Sequence, residues 1–140
     1  MEARVAAVTR NQRLLVILVV VIAAAECLYW LIAGGLWYEF RTFYWQGDAS
    51  AVIAERTRNA YLLLAWSGVN VAATLAYALR RRSWGRVLMA AVQAGNLAYG
   101  LWWSVPLALS AGQLESADWV LMQPAAAAAL LVALYAQWRR

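Results

Sequence analysis

The chain has 140 residues, 65% of them hydrophobic, a mean hydropathy of +0.57 and a formal net charge of +5. Soluble domains are about 45–50% apolar, so the composition points to a membrane protein. With no histidine and a single cysteine, Cys27, the chain excludes an intrachain disulfide, a CxxC redox or zinc site, and the usual histidine ligands of haem, copper and non-haem iron. No cofactor and no metal are expected.

The apolar residues fall into four blocks, 14–36, 60–79, 87–109 and 119–136, in which Glu26 is the one charged side chain. About 20 apolar residues at 1.5 Å rise each span a hydrocarbon core of roughly 30 Å. The expected fold is therefore an all-α integral membrane protein. It is a single membrane domain over 1–140, a four-transmembrane-helix bundle with helices at about 14–38, 59–80, 87–109 and 118–138 and an outer loop at 39–58.

The first block exceeds the roughly 7–15 residues of a signal-peptide core and is expected to be retained as a helix. Glu26 lies near its middle. A carboxylate at that depth costs roughly 2.5–3.5 kcal/mol on insertion scales, and such a residue faces a partner, a cavity or a proton path rather than lipid. Glu26 shares a helix face with Tyr29 and Trp30. Cys27 beside it reads as a small packing residue.

The loop that follows opens with aromatic residues, Tyr38, Phe40, Phe43, Tyr44 and Trp45, and then carries a turn signal, Gly47-Asp48. Residues 49–58 are expected to form a short helix on the outer interface, with Asp48 as N-cap. It would act as a surface anchor or as a lid over the bundle.

In the second helix Ser67, Asn70, Thr74 and Tyr77 recur at i, i+3, i+7 and i+10, which is one face. In the third, Gln93, Asn96, Gly100 and Trp103 repeat that spacing. Counted from either end, Asn70 and Asn96 are near the centres of their helices and Glu26 is at similar depth. Lipid cannot satisfy amides or a carboxyl, so these faces are expected to turn toward one another. The candidate ligand-binding residues are Glu26, Asn70, Gln93 and Asn96, with Tyr29, Trp30, Trp66 and Tyr99 as walls. Glu26 is the one candidate for a catalytic group.

Helix four has little polar character. Its run Ala125–Ala129, with Gly34, Gly35, Gly68, Gly95 and Gly100 elsewhere, suits close helix packing. Pro106 and Pro124 fall near outer helix ends, where a lost backbone bond costs least.

All twelve basic residues are arginine. Arg4, Arg10 and Arg13 precede helix one, Arg80, Arg81, Arg82 and Arg86 fill the turn between helices two and three, and Arg139 and Arg140 end the chain. The positive-inside rule then places both termini and that turn in the cytoplasm of a bacterial inner membrane. The arginines are topogenic and face anionic headgroups, and no nucleic-acid partner is expected. Trp37, Trp45, Trp102, Trp103 and Trp119 fall at the outer boundary, and Trp84 and Trp138 at the inner one. They read as headgroup anchors. Trp30 and Trp66 lie deeper.

Three functions fit these observations. The first is a protein that binds or transports a small hydrophobic or cationic molecule at a midplane site centred on Glu26, expected to act as a homo-oligomer. The second is an accessory subunit of a larger membrane complex. The third is a membrane enzyme doing acid/base chemistry on a lipid or isoprenoid-like substrate, with Glu26 as acid and a second carboxylate brought in by Glu39 or Asp48. Against all three stands the plain alternative that the amides only bond across helices, as interhelical glue worth about 0.6 kcal/mol each.

Overall fold

The computed structural model describes residues 2–42, 50–79, 83–110 and 117–139, with side chains over 11–42, 50–79, 84–106 and 121–139. Among them are four α-helices: α1 (Glu2–Glu39), α2 (Ser50–Leu79), α3 (Ser83–Ser110) and α4 (Ala117–Trp138). A single 3₁₀ turn, Phe40–Thr42, follows α1.

Three stretches are long and apolar enough to cross a membrane: Asn11–Thr42, Ser50–Leu79 and Leu121–Trp138. The expectation of four such helices is met for three. The exception is α3, whose average is lowered by Gln93, Asn96 and Ser104. Those polar side chains are each no more than 1% exposed, so they point into the bundle and leave Val87, Leu88, Leu101 and Val105 on its outer face. A helix can carry an apolar outer face and still average low, because mean hydropathy does not register direction.

Two boundaries differ from expectation. At 38 residues α1 is about 57 Å long, well beyond a core of roughly 30 Å, because residues 2–13 continue the helix. The short interfacial helix expected at 49–58 is no separate element. Its residues from Ser50 onward are the first turns of α2. Asp48, the expected N-cap, lies outside the described residues, as do Phe43, Tyr44 and Trp45.

Each helix packs on the next in chain order, and α4 returns to α1. Neighbours run antiparallel. Gly34 of α1 meets Leu64 of α2, whereas Cys27 meets Thr74. Likewise Asn96 of α3 bonds Gln123 of α4, whereas Arg86 bonds Gln137.

Along the bundle axis the interior changes character. The half nearest the chain ends is apolar, with Val19, Ala23, Ala73, Tyr77, Met89, Val92, Leu130 and Leu134 packed together. It is fastened at its edge by Tyr77 Oη, which donates to Gln137 Oε1 at 2.8 Å, and by Arg86 Nη1, which donates to the Gln137 carbonyl at 3.3 Å. Above this core lies a polar layer, and above that an aromatic cavity.

Small residues set how closely the helices approach. A Cβ at Gly34 would lie 2.9 Å from Leu64 Cγ and 3.1 Å from the Leu64 backbone nitrogen. A Cβ at Gly100 would meet Gln123 Oε1 and lie 3.2 Å from Pro124 Cβ. Gln123 is buried and its amide nitrogen donates to the Asn96 carbonyl at 3.3 Å, so it has little freedom to yield. Gly100→Val should therefore destabilise the bundle by about 1–3 kcal/mol, the usual cost of overpacking. The check is the midpoint of unfolding in mixed micelles titrated with a denaturing detergent, and an unchanged midpoint would refute the close α3–α4 contact. Gly35 and Gly68, which the sequence also offered as packing positions, face open space.

Candidate functional site

Asn96, fully buried in α3, is the centre of the polar layer. Its Nδ2 lies 2.8 Å from Asn70 Oδ1, 3.2 Å from Gln93 Oε1 and 3.2 Å from Glu26 Oε2. Its Oδ1 accepts the Trp66 indole N–H at 2.7 Å. Three helices thus meet at one side-chain amide. The i, i+3 spacing of Gln93 and Asn96 puts both on one face of α3, and the antiparallel order of α1, α2 and α3 brings Glu26 and Asn70 to the same level.

Local bonds hold the ring of residues in place. Asn70 Nδ2 donates to the Trp66 carbonyl at 3.0 Å, and Thr74 Oγ1 to the Asn70 carbonyl at 2.8 Å. Ser67 Oγ donates across to the Cys27 carbonyl at 3.1 Å, next to Glu26. Cys27 packs against Thr74 with Sγ 3.7 Å from Oγ1.

The layer has more acceptors than donors. An amide NH₂ supplies two protons, yet three oxygens surround Asn96 Nδ2. Gln93 Nε2 lies 3.8 Å from the Met89 sulfur. Glu26, 3% exposed, has no partner for its second oxygen, Oε1. A buried acceptor left unmatched costs about 1–3 kcal/mol in proteins generally. The layer could be completed by a proton on Glu26 or by a donor arriving on a ligand.

Toward the predicted outer side a cavity of about 700 Å³ opens between α1, α2 and α3. Trp30, Trp37, Trp66, Tyr99, Trp102 and Trp103 wall it, and Glu55 and Asn59 supply its polar side chains. Trp66 is common to both compartments: its ring lines the cavity while its N–H is bonded to Asn96. The ring fits because position 95 is glycine, where a Cβ would lie 3.2 Å from Trp66 Cζ2. Trp30, 3% exposed, has an indole N–H without a hydrogen-bond partner. Its ring stands edge-on to Tyr29 at 5.3 Å and to Tyr99 at 5.4 Å between centroids.

Among the residues expected at the site, Glu26, Asn70, Gln93 and Asn96 come together, and Trp30, Trp66 and Tyr99 line the adjacent cavity. Tyr29 packs against Trp30 but is not among the residues lining the cavity, and it is 38% exposed. Glu39, considered as a second carboxylate, is exposed at the end of α1, and Asp48 lies outside the described residues.

Sequence reasoning passed over Trp37, Trp102, Trp103, Glu55, Asn59 and Gln123. The first three read, in the sequence, as headgroup-belt residues. For Glu55 and Asn59 a signal was present: Glu55, Asn59, Leu62 and Trp66 follow at i, i+4, i+7 and i+11, one face of a helix that starts earlier than its apolar block. The chain matches no family model, no curated protein and no solved structure.

Proposed function

We propose that this protein is a polytopic membrane protein that binds or transports a small molecule at the polar layer centred on Glu26, reached through the aromatic cavity. The observation that carries this reading is the unmatched Glu26 Oε1 in a layer already crowded with acceptors. Interhelical glue has no use for an ionisable group with one oxygen unbonded, whereas a ligand donor or a transferable proton does. The cavity supports the same reading, since its volume of about 700 Å³ falls within the roughly 300–1,000 Å³ of small-molecule sites.

In this proposal the protein sits in a bacterial inner membrane with both termini cytoplasmic, the orientation that the arginine distribution favours, and the cavity opens outward. A bundle of four helices is small for a transporter, so it works as a homo-oligomer. The test is native mass spectrometry of protein purified gently from its own membranes. A reproducible bound small molecule that is missing from Glu26→Gln supports the reading. Stoichiometric foreign subunits, with no such molecule, overturn it in favour of an accessory role.

A further inference from the structure

We infer that the cavity selects lipophilic organic cations, with protonated amines as the ligand class. This rests on the reading that the bundle takes a small molecule, and it adds the sign of that molecule's charge.

Three independent features lead there. Six aromatic rings wall the cavity, and the face of an aromatic ring carries negative potential that attracts an ammonium group, most strongly for tryptophan. Five of the six are tryptophans. Among the described residues lining the cavity the charged one is a carboxylate, Glu55, and none is an arginine. Nearby Arg56 is engaged elsewhere, its Nη1 donating to the Phe40 carbonyl at 3.4 Å. Behind Trp66, finally, the polar layer is short of protons, with Glu26 Oε1 unpartnered. A protonated amine brings both the positive charge and the N–H donors that these surroundings lack.

A lipid acyl chain is the competing occupant. It would satisfy the rings but offer nothing to Glu55 or to the acceptor-rich layer. An anion would face a carboxylate and ring faces of the same sign.

The test uses three compounds of one shape that differ in head group: 2-(1-naphthyl)ethylammonium, the neutral 2-(1-naphthyl)ethanol and the anionic 1-naphthaleneacetate. Binding is measured by equilibrium dialysis against the full chain in lipid nanodiscs, with empty nanodiscs subtracted. The ammonium compound is expected to bind saturably and about tenfold or more tighter than the alcohol, with the acid weakest. Glu55→Gln, at an exposed position where folding is not at stake, should weaken the ammonium compound about threefold or more while leaving the alcohol unaffected. Trp66→Phe should weaken it by a smaller factor because a ring face is retained.

Equal binding of alcohol and ammonium, tighter binding of the acid, or no saturable binding of the ammonium compound each overturns the cation assignment. In that event the small-molecule reading stands if the copurifying molecule is still lost from Glu26→Gln. Conversely, undiminished ammonium binding by Glu26→Gln would leave the cation cavity in place and remove Glu26 from its role.

Discussion

Glu26→Gln is expected to lose the bound molecule while folding as well as the parent protein or better. Glutamine has the shape of glutamate, and its oxygen can still accept the Asn96 N–H that Glu26 Oε2 receives at 3.2 Å. It can neither carry charge nor exchange a proton. A ligand held by a buried charge–dipole or charge–charge contact at this position should bind about thirtyfold more weakly or worse, since removing one partner of such a pair costs roughly 2–5 kcal/mol. Stability should move the opposite way, because a carboxylate is expensive at membrane depth. Opposite signs for binding and stability mark a group kept for function at a cost in folding. Two measurements on the same preparation decide it: ligand retention by mass, and the unfolding midpoint in mixed micelles. A variant that keeps its ligand within twofold and loses stability would show that Glu26 only packs.

Asn96→Leu is expected to have the largest effect on stability of any single polar substitution in the layer. Leucine keeps the branching and the number of side-chain heavy atoms but is bulkier, so the change removes the hydrogen bonds and adds a packing cost. Four contacts converge on Asn96, to Glu26, Asn70, Gln93 and Trp66. Interhelical bonds in membranes average about 0.6 kcal/mol because the unfolded chain in lipid also finds partners. Gln93 lies on α3 itself, so three of the contacts cross between helices, and they suggest a loss of about 2 kcal/mol. The larger penalties known for soluble cores would apply only if the freed groups found no other partner. The contribution should be shared with Trp66. In a double-substitution cycle of Asn96→Leu with Trp66→Phe, the losses should sum to less than the singles, because one bond is counted in both. If Asn96→Leu costs under 0.5 kcal/mol, the convergence on this amide is not what holds α1, α2 and α3 together.

How legible the site was depended on the kind of information each residue carries. The shared depth of Glu26, Asn70 and Asn96 follows from helix centres and alternating direction, both readable along the chain, and these side chains do bond one another. Their facing follows from helical period alone. The role of Gln123 was not readable, because its contact with the Asn96 carbonyl depends on how close α4 comes to α3, which Gly100 and Pro124 set together. Trp37, Trp102 and Trp103 have the composition and position of belt residues, and at 40–72% exposure they remain partly at the surface. Only the separation of α1, α2 and α3 at that end makes them walls as well. Glu55 was hidden by a boundary: hydropathy marks where lipid would begin, whereas α2 starts at Ser50 and carries Glu55 on the face of Trp66.

The sequence by itself determined the helical class of this protein, the number of apolar blocks, the arginine asymmetry and the depth of its polar residues, because hydropathy, charge and helical period are properties of single segments. The tertiary structure decided which glycines are contacts, which tryptophans share a cavity and which oxygen of Glu26 has no partner. Those depend on which way each helix faces its neighbours and how closely it approaches them: a Cβ at Gly34 would lie 2.9 Å from Leu64 Cγ, whereas one at Gly35, the next residue, would meet nothing within 4 Å.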